Sequence, residues 1–198
     1  MYNKVALKIT DWFINKGIID DSKKAICKYG FEVLISSLTY FLLFAIISII
    51  TNSVLPSVLF WLGLFFIRKV AGGHHAKSYT SCHILFEANH IVFIILLKVI
   101  PSTWYYYSSI GIFVFSILSI LLFAPVDHIN KPFIKNEYKR FRFLSLMYCI
   151  VLLTVLILCF INVIPSNEFL FAYSIGTLSA TISLLCGKTN RFIERKRT

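Results

Sequence analysis

Between Arg68 and His90 the chain reads Arg-Lys-Val-Ala-Gly-Gly-His-His-Ala-Lys-Ser-Tyr-Thr-Ser-Cys-His-Ile-Leu-Phe-Glu-Ala-Asn-His, so four of its five histidines and one of its five cysteines fall in this one stretch. Cysteine is the strongest nucleophile in the set, but a free thiol, with a pKa of about 8.5, is only a few per cent thiolate at neutral pH. A histidine that accepts the proton removes that limit. Gly72 and Gly73 permit a backbone turn closed to other residues, so His74 or His75 can fold back on Cys82. Spacing alone does not choose between the two histidines. If Cys82 opens a helix, the N–H groups there favour an anion and offer an oxyanion site. These are the parts of a thiol acyl-transfer centre.

Two other chemistries compete for the same residues. His74, His75, Cys82, His83 and His90 could supply four zinc ligands, but the chain has neither CxxC nor HExxH spacing, so no metal and no cofactor is expected. His83, Glu87 and His90, at i, i+4 and i+7, share one helical face, with Asn89 nearby. Ionisable groups in an apolar span face a cavity or each other. They would then line the active cavity, join helices through a hydrogen-bonded Glu87–histidine pair, or form the proton or ion path of a small transporter or channel built on Glu87 and His90.

The solvent of the chain decides what must hold these residues. With 58% apolar and 16% aromatic residues in 198, and a mean hydropathy of +0.77, the chain carries more apolar surface than a soluble domain of this size buries. The reading is an all-α polytopic membrane protein forming one integral membrane domain. Its net charge of +11 is assigned to orientation and anionic headgroups, with membrane lipid as the partner and nucleic acid excluded. The cysteines, at 27, 82, 149, 159 and 186, show no paired spacing, which argues against a disulfide framework. The first residues lack the apolar core and cleavage site of a signal peptide, so insertion is expected to use internal spans.

Six transmembrane helices are expected at 31–50, 54–67, 83–100, 104–124, 143–163 and 168–186. Residues 1–29 are read as a cytoplasmic or interfacial N-terminal segment, 30–186 as the six-span core and 187–198 as a basic cytoplasmic tail. In the N-terminal segment Val5, Ile9, Trp12 and Phe13 oppose Lys4, Lys8, Asp11 and Asn15, the pattern of an amphipathic interfacial helix or of one packed on the protein's own surface. Nineteen of the twenty Lys and Arg residues fall in the N-terminal segment, the 68–82 loop, the 125–142 loop and the tail. By the positive-inside rule both termini and the 68–82 loop are cytoplasmic, with Lys98 alone at the opposite interface. Pro125 and Pro132 discourage one continuous helix through the 125–142 loop. The second span, at fourteen residues about 21 Å long, is too short for a hydrocarbon core of about 30 Å. Either Arg68 and Lys69 snorkel, or the Gly-Gly-His-His loop dips into a protein-lined cavity; the second is favoured.

Ala71-Gly72-Gly73-His74-His75-Ala76-Lys77-Ser78, with Cys82 seven residues after His75, resembles the catalytic segment of the AgrB family, the accessory gene regulator membrane endopeptidases of Gram-positive bacteria. The family pattern of a basic residue, a Gly-Gly-x-His-Ala run and a cysteine seven residues past the histidine is met by Arg68, Gly72, Gly73, His75, Ala76 and Cys82. Ala124-Pro125-Val126 and Asn130-Lys131-Pro132 are also similar to that family. The resemblance implies a bacterial cell-membrane cysteine endopeptidase that cleaves a small precursor peptide near its C-terminus through a thioester and promotes its cyclisation to a thiolactone or lactone quorum-sensing peptide. It selects His75 over His74 as the base. It implies a precursor with an amphipathic N-terminus and an acidic C-terminus; Arg68, Lys69, Lys77 and the bases of 131–142 could attract that tail, although the positive-inside rule already accounts for them. Glu87 and Ser78 are the candidates for a third orienting residue, and the resemblance carries over neither. A homodimer is compatible with so small a chain enclosing a cavity.

Overall fold

The computed structural model describes residues 2–73, 79–127, 133, 135–161, 163 and 167–195. Seven α-helices follow one another: α1 (Tyr2–Asn15), α2 (Lys24–Ile50), α3 (Val54–Ala71), α4 (Tyr79–Val99), α5 (Tyr105–Phe123), α6 (Lys135–Phe160) and α7 (Glu168–Arg195). Helices α2 to α7 each carry a stretch long and apolar enough to cross a membrane. The chain is therefore all-α and polytopic, with an extra N-terminal helix.

Large apolar side chains cover the outside of these helices, Phe41, Ile50, Leu122 and Phe160 among them, as lipid-facing surface requires. The inside is different. Without a hydrophobic driving force between apolar helices, close approach depends on small residues and on hydrogen bonds between spans. At the crossing of α3 and α7, Gly63 lies against the backbone of Tyr173 and Thr177, and Gly176 against that of Phe60 and Leu64. A Cβ at either glycine would overlap main-chain atoms, so both backbones meet where neither carries a side chain. Polar pairs join further spans: Ser174 Oγ donates to Ser109 Oγ of α5 at 3.2 Å, the Tyr148 and Tyr173 hydroxyls of α6 and α7 are 2.7 Å apart, and Ser145 of α6 donates to the Val70 carbonyl of α3 at 3.1 Å. Helix α7 is the most buried of the six spans, and α3, α5 and α6 assemble around it.

The structure revises several helix boundaries. The second span does not stop at Ile67. Helix α3 runs four residues further and reaches about 27 Å, because Arg68 lies on a face that α7 supplies with a hydroxyl: Nη1 donates to Ser183 Oγ at 2.9 Å. The shortfall that favoured a dipping loop is largely removed, and that loop, 74–78, lies outside the described residues. Helix α6 begins at Lys135, after both prolines, so Lys139, Arg140 and Arg142 sit on helix rather than loop. Helix α7 continues to Arg195 through most of the expected tail. Helix α1 packs along α2 by Ala6 and Thr10, with Phe13 stacked on Phe31 at 5.4 Å and Lys24 Nζ 2.8 Å from Asp11, while Val5 and Trp12 remain exposed. It is thus packed on the protein's own surface and still presents apolar side chains outward.

Candidate active site

Helix α3 ends at Ala71 because Gly72 takes φ 78° and ψ −154°, a region open to glycine alone, and Gly73 follows at φ 145°. The turn is held from two sides. The extended segment after α5 lies parallel to it, with Val126 N–H donating to the Ala71 carbonyl at 2.9 Å and Gly72 bridged to Val126. On the other side, a Cβ on Gly73 would lie 2.9 Å from Ser183 Oγ and 3.2 Å from the Ser183 backbone. Gly72 has no more room, since its Cβ would run into the Val126 carbonyl. Two of the pieces that carry the family resemblance, 71–73 and 124–126, therefore meet at one end of the bundle.

The same end is tied together by arginines. Arg142 of α6 caps the last turn of α5, donating to the Ala124 carbonyl at 2.5 Å and the Leu121 carbonyl at 2.8 Å. That answers the need of carbonyls that a helix C-terminus leaves without partners. Arg191 of α7 pairs with Asp127. The sequence did not single out Arg191 or Asp127, and it marked Arg142 only as one of the bases of the 125–142 loop. Their charge explained them as orientation signals, and only the fold shows which carbonyls and carboxylate they serve.

Cys82 is the fourth residue of α4, exposed, with a free thiol. The expected placement at a helix start therefore holds, within the first turn rather than before it. His74, His75, Lys77 and Ser78 lie outside the described residues, so no distance to Cys82 is given for them. Lys69 is exposed, its Nζ 5.6 Å from the Phe65 ring centroid, whereas Arg68 is turned inward onto α7.

His83, Glu87 and His90 do share a face, and that face is turned toward α2 and α3. Five residues along a helix rotate a side chain by about 140°, so Glu87 points away from the side that carries Cys82. His90 is completely buried beside Phe44, Phe60 and Phe93, its Nε2 2.9 Å from Ser57 Oγ of α3 and its Nδ1 3.8 Å from Glu87 Oε2. His83 lies against the rings of Tyr40 and Tyr2. His90 thus joins α4 to α3 through Ser57, and His83 packs against Tyr40 of α2, whereas Glu87 and His90 stand on the same helix at 3.8 Å, beyond hydrogen-bond reach, so the expected hydrogen-bonded Glu87–histidine pair is not formed. Among the described residues there is no group of three or more His, Cys, Asp or Glu side chains placed to hold a metal.

A bundle of six spans, an exposed cysteine in the first turn of one of them and a glycine turn pinned at the same end define a multi-pass membrane protein with an exposed thiol at the end of a span. Comparison with known proteins gives the family. The model for accessory gene regulator B matches residues 6–184, and the chain belongs to that family. It is 32% identical over 131 residues to an AgrB-like protein of Clostridium perfringens strain 13, covering 62% of this chain and 59% of that protein, and 26% identical over 180 residues to an AgrB-like protein of Listeria monocytogenes serotype 4a, covering 89% and 85%. The first of these alignments thus spans little more than half of its relative's length. No solved structure is significantly similar to the chain.

Proposed function

We propose that the protein is a membrane-embedded cysteine endopeptidase that processes a small precursor peptide for quorum sensing, with Cys82 as nucleophile and His75 as its base. The observation that carries this reading is the end of the bundle just described. Gly72 and Gly73 are fixed between Val126 and Ser183, with five residues between Gly73 and α4, and Cys82 stands exposed in the first turn of α4. His75 follows that turn by two residues in the sequence and precedes Cys82 by seven, the spacing on which the assignment of base and nucleophile rests. Membership of the accessory gene regulator B family supports the same assignment.

In the reaction, His75 takes the Cys82 proton and Sγ attacks the scissile carbonyl carbon; His75 then returns the proton to the leaving amine as the C–N bond breaks. The C-terminal piece departs and the acyl group stays on Sγ as a thioester. An internal cysteine or serine of the precursor attacks that thioester, closes the ring and releases the thiol. Proximity is what this second step chiefly requires, since thiol–thioester exchange roughly conserves bond energy. Lys69, and Lys77 from its place in the sequence, would draw an acidic tail, and the distribution of basic residues would place this loop and both termini in the cytoplasm.

Co-expression of a cognate precursor with the wild type, Cys82→Ala, His75→Ala and His74→Ala, followed by mass spectrometry of the peptide, tests the assignment. Cleavage should be lost in the first two variants and kept in the third. Persistent cutting by Cys82→Ala would end the thiol mechanism.

A further inference from the structure

At the end of the bundle that carries the glycine turn, α5, α6 and α7 enclose a cleft of about 780 Å³, the size of a small-molecule site. Its wall has three kinds of residue. Lys139, Arg142, Lys188 and Arg191 bring four cations against the single carboxylate of Asp127. Arg142 is engaged with the end of α5 and Arg191 with Asp127, which leaves the exposed Lys139 and Lys188 to set the character of the opening. Tyr138 supplies a ring of the kind enriched at headgroup level, and Phe133 an apolar one beside it. Leu122 and Phe123 form the membrane-ward side, and further along the same helices Leu118 and Leu121 of α5 and Phe143, Met147 and Ile150 of α6 are exposed apolar side chains.

A free anion or an acidic peptide would use the cations but not this apolar extension. A lipid uses both. We propose that the cleft is a binding site for one anionic phospholipid, its phosphate held between Lys139 and Lys188 and its acyl chains lying along α5 and α6. The site touches Ala124, Pro125 and Val126, so the lipid sits beside the segment that pins Gly72.

Native mass spectrometry of the full-length purified chain tests this, with phosphatidylglycerol and phosphatidylcholine of identical acyl chains as probes. The wild type should keep one phosphatidylglycerol in preference to phosphatidylcholine. Lys139→Ala/Lys188→Ala should lower that preference by about 25-fold, a factor of about five for each lysine, while Lys139→Arg/Lys188→Arg keeps it. Lys4→Ala/Lys8→Ala on α1 removes the same net charge away from the cleft and should change nothing. Excess inorganic phosphate should leave the lipid in place. Equal retention of the two lipids, or equal losses in the α1 and cleft variants, overturns the site in favour of diffuse surface charge. Displacement by inorganic phosphate or by a pentaglutamate peptide overturns it in favour of a free-anion or peptide site.

Discussion

Replacing Gly72 by alanine should disable cleavage while leaving the bundle folded. At φ 78° and ψ −154° the residue occupies a conformation that costs an L-amino acid about 2 kcal/mol. The added Cβ also runs into the Val126 carbonyl, and relieving that contact moves apart the strands joined by the Val126 to Ala71 hydrogen bond, whose net worth is about 1 kcal/mol. The sum, about 3 kcal/mol, corresponds to a drop of about 150-fold in the population of the pinned turn, and so in the cleavage rate if the turn must be formed for His75 to serve Cys82. The strain falls at the end of α3 and touches neither the Gly63–Gly176 crossing nor the core around α7, so protein level and thermal unfolding in detergent should shift little. The assay is precursor cleavage in isolated membranes, normalised to the amount of protein. Gly111→Ala, at a helical glycine with open space where its Cβ would go, is the control and should cleave at the wild-type rate. Wild-type cleavage by Gly72→Ala would refute the claim that a fixed turn positions the base.

Gly176→Val should do the opposite, lowering the thermal midpoint and membrane yield, because its side chain must displace the Phe60 and Leu64 backbone of α3. Arg142→Gln, which weakens the bonds to the Ala124 and Leu121 carbonyls, should cost about 1–3 kcal/mol of stability, read as a lower unfolding temperature, with Arg142→Lys intermediate. Ser57→Ala leaves the buried His90 Nε2 without its partner and should destabilise by about 1–3 kcal/mol without changing cleavage per folded molecule; a selective loss of cleavage would make the His90 cluster part of the chemistry. A membrane-impermeant maleimide should label Cys82 from the cytoplasmic face and leave the buried Cys149 and Cys159 unmodified, which checks orientation and burial together.

What could be read from the sequence was whatever depends on one stretch of chain at a time. Apolar runs and the placement of bases give six spans, and Gly72-Gly73 announces a turn that only glycine permits. Boundaries failed where a charge had a partner out of sight: Arg68 ends an apolar window, yet helix α3 passes through it because Ser183, far along the chain, receives its guanidinium. For the same reason the role of 124–126 was visible only as a family likeness, since its pairing with Gly72 joins two segments separated by two whole spans. Gly63 and Gly176 did carry a signal, for small residues inside apolar spans mark where helices touch, but neither says which helix it touches. The His83, Glu87 and His90 face shows the limit most clearly. Periodicity correctly placed them together, and the same periodicity, applied to Cys82, puts Glu87 about 140° away around the helix. A third orienting residue for the dyad is therefore to be sought on the turn itself or on the segments that pin it, Ser183 and 124–126, rather than deeper along α4.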